Sequence, residues 1–142
     1  MKTEEEVTMK HWVASAFLIT CVMLISCKGT STPFQKSPGD IVKAYYAAAN
    51  EGRYSDVRAL FSEGGKKLLD SDLAQLAGGI KGICDKDTKN GTVTKVEIVS
   101  QSIRGEGATV IANVFYKDGS TKSNDTSPLI LENGSWKLTG GD

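Results

Sequence analysis

The stretch Ser37-Pro38-Gly39-Asp40-Ile41-Val42-Lys43-Ala44-Tyr45-Tyr46 decides the fold, because it sets where the folded domain and its first helix begin. Ser37 is placed to cap the free backbone amides, Pro38 suits the first helical position, and Asp40 completes a capping box. Helical spacing then places four residues on one apolar face: Ile41, Ala44, Tyr45 and Ala48. Asn50-Glu51-Gly52 ends the run, with glycine as the expected C-cap residue.

Two more helical segments are predicted downstream of this helix. The first begins at Tyr54-Ser55-Asp56 and runs through Leu60 and Phe61, and Gly64-Gly65 is expected to break it. The second covers residues 66–83, with leucines at helical spacing and a kink indicated near its glycine-rich end. Residues 85–91 are polar and are predicted to form a turn.

After this turn, the apolar pattern changes from helical spacing to the alternation of β-strands. Residues 92–103 and 108–117 are predicted strands joined by the turn Arg104-Gly105-Glu106-Gly107. In the second of them, one face carries Ala108, Val110, Ala112, Val114 and Tyr116, and the other carries Ile111 and Phe115.

The last part of the chain predicts a polar strand at residues 120–125 and a separate apolar strand at residues 128–131. Glu132-Asn133-Gly134 is the strongest hairpin signal, and it leads into the final strand at residues 135–138. Helices followed by an antiparallel meander predict an α+β fold, with N-terminal helices packed on the sheet.

A different stretch, Leu24-Ile25-Ser26-Cys27, ends the apolar run of residues 12–25 and has the pattern of a lipobox. Small or aliphatic side chains fit a signal peptidase cleft, and the thiol of Cys27 accepts a diacylglycerol. We therefore predict a lipoprotein signal peptide at residues 1–26, an acylated cysteine with a flexible tether at residues 27–36, and a domain at residues 37–142. The alternatives are an uncleaved membrane anchor or a buried helix, but the run of about 14 residues is shorter than the roughly 20 that span a bilayer, and the lipobox stands where cleavage should occur.

Translation is predicted to start at Met9, eight residues into the sequence. Glu4-Glu5-Glu6 does not fit the basic amino-terminal region of a signal peptide, whereas Met9-Lys10-His11 does. The acyl chains predict attachment to a membrane of the cell envelope. In enterobacterial lipoproteins, an aspartate after the acylated cysteine favours the inner membrane; Lys28 stands there instead, so this resemblance implies the outer membrane, facing the periplasm.

Charge and side-chain chemistry exclude several function classes. Cleavage before Cys27 removes two lysines and three glutamates from 17 basic and 17 acidic residues, which leaves 15 and 14, and so predicts no nucleic-acid partner. Cys84 would be the single free thiol, and we expect it to be half-buried near a helix end rather than reactive. The lone histidine, His11, lies in the signal, so histidine catalysis and most zinc chemistry are excluded. Residues 85–91 lack the glutamate of a calcium loop, and no metal or cofactor is predicted.

Several of these stretches resemble the nuclear-transport-factor-2-like superfamily. Three segments resemble its opening helices: Pro38 to Tyr46, Asn50-Glu51-Gly52-Arg53-Tyr54 and Leu60-Phe61. One later segment resembles its final hairpin: Leu129-Ile130-Leu131-Glu132-Asn133-Gly134-Ser135-Trp136-Lys137-Leu138. In particular, the chain resembles bacterial lipoproteins that carry an uncharacterised lumazine-binding-like domain. The resemblance covers residues 37–139 and implies a strongly curved antiparallel sheet that forms a cystatin-like cone with a cavity at its open end.

The candidate residues for lining this cavity are aromatic: Tyr45, Tyr46, Tyr116 and Trp136. A tryptophan beside a hairpin also commonly covers the core. Some enzymes of the superfamily, such as ketosteroid isomerase and scytalone dehydratase, transfer protons inside the cone. Here the four tyrosines are candidate donors, and Asp70 or Asp72 is the candidate acceptor, although both aspartates also fit a solvated helix surface. Because a fold does not transfer a function, we predict no catalysis.

Three functions fit these observations. The favoured one is a lipid-anchored envelope protein whose non-catalytic module binds a small molecule, a peptide or a protein partner in or near the cone cavity. The second is a structural module of the envelope that forms a homodimer through its open sheet face. The third is a cone enzyme of the isomerase or dehydratase type.

Overall fold

The computed structural model describes residues 35–140, in which five helices pack against one curled, four-stranded antiparallel sheet. The strand order is β1-β2-β3-β4, so each strand pairs with its neighbour in sequence. The predicted α+β fold is therefore confirmed, whereas the predicted signal peptide and lipobox lie outside the described residues. The elements are α1 Pro38–Asn50, α2 Tyr54–Ala59, α3 Glu63–Leu69, α4 Asp72–Leu76, α5 Gly79–Asp87, β1 Val93–Arg104, β2 Gly107–Tyr116, β3 Thr121–Glu132 and β4 Ser135–Leu138.

Helix α1 begins with the capping box that the sequence predicts. The Ser37 hydroxyl accepts from the Asp40 amide at 3.2 Å, and the Asp40 carboxylate accepts from the Ser37 amide at 3.0 Å. At the other end, the Asn50 side chain both donates to and accepts from the Val93 backbone, at 2.8 and 2.9 Å. This pair ties the end of α1 to the start of β1. Gly52 follows with a φ of +65°, the left-handed conformation that glycine adopts most readily.

The helices after α1 differ from the prediction in their boundaries. Helix α2 ends at Ala59, because Phe61 leaves it to form a parallel bridge with Leu138. The predicted break at Gly64-Gly65 is wrong, since both glycines lie in the first turn of α3, which Ser62 caps. Gly65 approaches β4 so closely that an added Cβ would lie 3.1 Å from the Leu138 carbonyl oxygen. Gly65 therefore serves close packing rather than helix termination, whereas Gly64 is exposed.

The single helix predicted over residues 66–83 is also wrong. Ser71 starts a new helix, α4, because its hydroxyl accepts from the Ala74 amide. Gly78 has a φ of +90° and separates α4 from α5, so the predicted kink is a complete break. Helix α5 extends through Asp87, so the turn predicted at residues 85–91 begins only at Thr88. Cys84 lies in α5 and is fully buried rather than half-buried.

The sheet follows the predicted alternation most closely in β2. Its inward face is buried and consists of Ala108, Val110, Ala112, Val114 and Tyr116, while Ile111 and Phe115 are partly covered on the other face. The predicted turn at Glu132-Asn133-Gly134 is confirmed, with Glu132 paired to Ser135 and positive φ values of 51° and 73° at Asn133 and Gly134. These values fit the tight hairpin turn that Asn-Gly favours.

Strand β3 is one strand with a bulge, not the two separate strands predicted. Lys122 pairs with Val114 and Asp125 pairs with Ala112, so Ser123 and Asn124 together oppose the single residue Asn113. Asn124 has a φ of +54°, and its amide donates to the Asn113 side chain at 3.0 Å. The extra residue resets the alternation of side chains. As a result, Lys122 and Asp125 both lie on the inward face, although they are three positions apart.

We expect Asn124→Val to lower the free energy of unfolding by about 1–3 kcal/mol, because a β-branched residue is strained at positive φ. Asn124→Gly keeps the conformation available and should cost much less. Ser123→Val is the matched control in the same bulge, since Ser123 is exposed and lacks a positive φ. Urea unfolding measures all three variants. Equal losses for Asn124→Val and Ser123→Val would contradict a conformational requirement at Asn124.

Candidate functional site

A cavity of about 350 Å³ opens between helices α1 and α5 and the inward side of β3. Its lining divides into two parts. Apolar side chains line one part: Phe61, Ile83, Pro128 and Leu138. The other part carries a group that we call the tyrosine–aspartate cluster, which consists of Tyr45, Tyr46, Asp87, Lys122 and Asp125.

Hydrogen bonds connect the whole tyrosine–aspartate cluster. The Tyr45 hydroxyl donates to Asp87 Oδ2 and the Tyr46 hydroxyl donates to Asp125 Oδ2, each at 2.7 Å. Between the carboxylates, Lys122 Nζ lies 3.3 Å from Asp87 Oδ1 and 2.7 Å from Asp125 Oδ1. Every carboxylate oxygen in the cluster thus has a donor from the chain itself.

Three separate elements position this cluster. Tyr45 and Tyr46 are adjacent on α1, and their rings meet edge to face with centroids 5.2 Å apart, so their hydroxyls reach different carboxylates. Asp87 is the last residue of α5, where its carbonyl oxygen accepts from the Tyr116 hydroxyl at 2.8 Å. The bulge in β3 turns Lys122 and Asp125 inward. The site therefore requires α1, α5 and β3 to be docked together.

The surroundings of the cluster fix the protonation of its donors. Burial raises the pKa of both Tyr45 and Tyr46 far above the ordinary value, and their neighbouring carboxylates, Asp87 and Asp125, add to this rise. Burial alone would lower the pKa of the Lys122 ammonium, but its contacts with Asp125 and Asp87 outweigh burial and raise that pKa overall. The phenols remain hydrogen-bond donors and Lys122 remains a cation at neutral pH.

The aromatic residues predicted to line the cavity lie in three places. Tyr45 and Tyr46 line the cavity itself. Tyr116 lines a neighbouring depression on the far side of Asp87 and Lys122. Trp136 is buried and lines a cleft beside Ile41 and Leu60, outside the main cavity. The structure therefore brings together only the two tyrosines of α1.

The candidate acceptors Asp70 and Asp72 lie away from this cavity. Asp70 pairs with Arg58 at the protein surface, and Asp72 is exposed in the first turn of α4. The carboxylates that the tyrosines do contact, Asp87 and Asp125, were missed by sequence reasoning. Asp87 falls in a segment predicted as a turn, and Asp125 faces inward only because of a bulge that the side-chain pattern does not reveal.

Cys84 lies beside the cavity wall but has the properties of a structural residue. Burial, with the nearby charges of Asp87 and Asp85, raises the pKa of its thiol to about 11. A thiol with such a pKa is a weak nucleophile at neutral pH.

Within residues 35–140, no three His, Cys, Asp or Glu side chains are grouped to hold a metal ion. Nor does this described part contain a helix long and apolar enough to cross a membrane.

Solved structures of low sequence identity share this architecture and show that the chain has a nuclear-transport-factor-2-like fold. A Campylobacter jejuni protein, provisionally described as an NTF2-like transpeptidase, superposes with a TM-score of 0.56 at 16% identity, over 72% of this chain and 97% of that one. A protein from Thiobacillus denitrificans, provisionally described as a calcium/calmodulin-dependent protein kinase type II association domain, gives 0.52 at 16% identity, over 75% and 93%. RPA3114 from Rhodopseudomonas palustris, which contains a SEC-C motif, gives 0.50 at 17% identity, over 75% and 80%.

Residues 31–139 match the family described as "Domain of unknown function (DUF4878)", and the chain belongs to this family. No curated protein matches the chain. At 16–17% identity, the solved structures inform the fold and not the chemistry of the cavity.

We expect the Tyr46 hydroxyl to give a pH-dependent contribution to stability. Near neutral pH, Tyr46→Phe should lower the free energy of unfolding by about 1.5–3 kcal/mol, because it removes a hydrogen bond to a carboxylate. Unfolded tyrosine ionises near pH 10, whereas the folded phenol has a raised pKa and keeps its proton. The difference in free energy of unfolding between wild type and Tyr46→Phe is therefore at its full value below pH 10. Above pH 10 it shrinks by about 1.4 kcal/mol per pH unit.

Urea unfolding of the two proteins from pH 8 to pH 11 tests this expectation. Tyr54→Phe is the matched control, since Tyr54 lies at the start of α2 and does not line the cavity. A difference between wild type and Tyr46→Phe that stays constant across this range would show that the phenol does not hold its proton as the structure implies.

Proposed function

We propose that this chain is a lipid-anchored, non-catalytic binding module of the cell envelope, which holds a small molecule or a short peptide segment in its cavity. The observation that carries the proposal is the pairing of an apolar wall with a fixed polar cluster in one cavity of about 350 Å³. Small-molecule sites commonly have this composition and start at about this size.

The polar cluster supports binding because its geometry is set before a ligand arrives. Lys122 is 41% exposed at its side chain, and Asp87 and Asp125 are 21% and 15% exposed, so all three are reachable from the cavity. Their mutual contacts hold them in place, which reduces the ordering cost of association. A fitting ligand has an apolar part that packs on Phe61 and Leu138, and a polar group that contacts Lys122 or the carboxylates.

The same contacts argue against proton transfer as the function. A general base needs a carboxylate oxygen directed at the substrate proton, whereas here each carboxylate oxygen already accepts from Tyr45, Tyr46 or Lys122. The phenols are poor general acids near neutral pH, because their raised pKa lies far from it. These features favour a binding module over a cone enzyme.

We propose further that Cys27 carries the acyl chains and that the protein lies at the outer membrane, facing the periplasm. The support is the lipobox Leu24-Ile25-Ser26-Cys27, followed by Lys28. Nine residues separate Cys27 from Ser37, a length that reaches at most about 30 Å when fully extended. The cavity would then stay close to the membrane surface.

A ligand screen by thermal unfolding tests the binding function. We expect a cavity ligand at about 100 times its Kd to stabilise the wild type by about 2.7 kcal/mol. Ser127→Trp, in the cavity lining, should abolish this stabilisation by filling the site. Ser123→Trp is the matched control, because Ser123 lies in the same strand but is exposed. Equal stabilisation of Ser127→Trp would place the ligand elsewhere, and conversion of the ligand to a product would favour an enzyme.

Mass spectrometry of the amino-terminal peptide tests the anchor. We expect the wild-type chain, isolated from membranes, to begin at a Cys27 that carries acyl groups. Cys27→Ala should lack the acyl mass, whereas Cys21→Ala, the control cysteine inside the predicted signal, should leave it unchanged. A wild-type chain that retains residues 9–26 without lipid would overturn the lipoprotein assignment and leave the cavity proposal standing.

A further inference from the structure

Three leucines on α3 and α4 lie uncovered at the surface, and we refer to them as the leucine ridge. Leu68 is 48% exposed, Leu73 is 79% exposed and Leu76 is 87% exposed. Leu73 and Leu76 are three positions apart on α4, so they share one helix face. Helix α4 has no buried residue at all. Such an apolar group on a small domain is typical of a contact site.

Polar contacts hold α4 in position while its leucines face outward. The Gln75 side chain donates to the Leu69 carbonyl oxygen at 2.9 Å, and the Ser71 hydroxyl donates to the Leu68 carbonyl oxygen at 2.6 Å. A helix of five residues normally depends on packing of its apolar face for stability. Since the polar side chains of α4 hold it in place instead, its apolar face is free to contact a surface outside the domain.

The tether predicted to lead to the membrane joins the fold on the side where α3 begins. The Gln35 side chain donates to the Gly134 carbonyl oxygen at 2.8 Å, in the turn between β3 and β4. The Glu132 carboxylate, beside the same turn, accepts from the Glu63 amide at the start of α3 at 3.2 and 3.3 Å. Helix α3 then spans seven residues, or about 10 Å, before the chain reaches α4.

We propose that Leu68, Leu73 and Leu76 insert into the surface of the bilayer that holds the acyl chains, and so form a second attachment that orients the cavity. This inference rests on the proposed acylation of Cys27. The tether of nine residues keeps Ser37, where the fold begins, within about 30 Å of the anchored cysteine, so the whole domain stays at the bilayer and contact with it is nearly intramolecular. Lys67 and Asp72, beside the leucines, have opposite charges, so the contact is apolar and should be insensitive to salt.

The test uses the full acylated chain in vesicles of phosphatidylethanolamine and phosphatidylglycerol. Leu76→Cys is labelled with an environment-sensitive fluorophore; the native Cys84 is buried and stays unlabelled. We expect emission from position 76 to shift to the blue on vesicles, with several-fold stronger quenching by spin-labelled lipid than in a chain labelled at Thr94→Cys, an exposed site on β1. Adding Leu73→Ser should weaken the quenching at position 76, and raising the salt concentration should not.

Vesicle flotation, measured on the same samples, separates the two proposals. A chain that floats while the label at position 76 stays in water would overturn the insertion of the leucine ridge and leave the acyl anchor intact. A chain that does not float would overturn the anchor, and the ridge proposal with it. A blue shift that appears without vesicles and grows with protein concentration would show that a second copy covers the ridge, which also overturns the proposal.

Discussion

The extra residue in the bulge of β3 is the constraint on which the interior of this domain depends. Without it, Lys122 and Asp125 would face opposite sides of the sheet. With it, both point inward, where Lys122 bridges Asp125 to Asp87 and each carboxylate holds a tyrosine of α1. One local irregularity therefore links the sheet to α1 and α5. Among the described residues, no buried side-chain nitrogen or oxygen lacks a hydrogen-bond partner.

Joining these elements through the tyrosine–aspartate cluster costs free energy that an apolar contact would not. Partly buried charges lose hydration, and replacing such a group with apolar side chains of similar volume is often neutral or stabilising. An apolar core could also join helices to the sheet, as the buried Val42, Val57, Val110 and Val114 do between α1, α2 and β2. Charged groups at a cavity wall, by contrast, give a direction to whatever binds there. This consideration favours the proposed binding role over a purely structural one.

Sequence reasoning succeeded where the signal was local. The Ser37–Asp40 capping box, the alternation in β2 and the Asn133-Gly134 turn each depend on a few adjacent residues, and all three were predicted correctly. It failed where a distant contact decided the outcome, as at Gly65, which is placed by its approach to β4. It also missed two local helix boundaries, the cap at Ser71 and the left-handed Gly78, which divide residues 66–83.

The predictions about the functional site divided in the same way into local successes and distant failures. Tyr45 and Tyr46 could be placed on the buried side of α1 from helical spacing alone. Their partners could not, because Asp87 is 42 positions from Tyr45 and Asp125 is 79 positions from Tyr46. The inward direction of Asp125 also depends on a shift in strand register, which leaves no mark in the order of polar and apolar residues. Trp136 was grouped with the tyrosines by residue type, whereas the path of β4 places it at another cleft.

The bridge between Phe61 and Leu138 gives the two edges of the sheet different properties. Backbone bonds of 2.9 Å from Ser62 to Leu138 and from Leu138 to Leu60 cover the outer edge of β4. In residues 35–140, the outer edge of β1 has no strand beside it, and it is 12 residues long. An open edge of this length invites pairing with another chain and aggregation. Two features of β1 oppose that outcome: charged side chains at Lys95 and Glu97, and an irregular register at Val99 that disturbs the flat row of backbone groups.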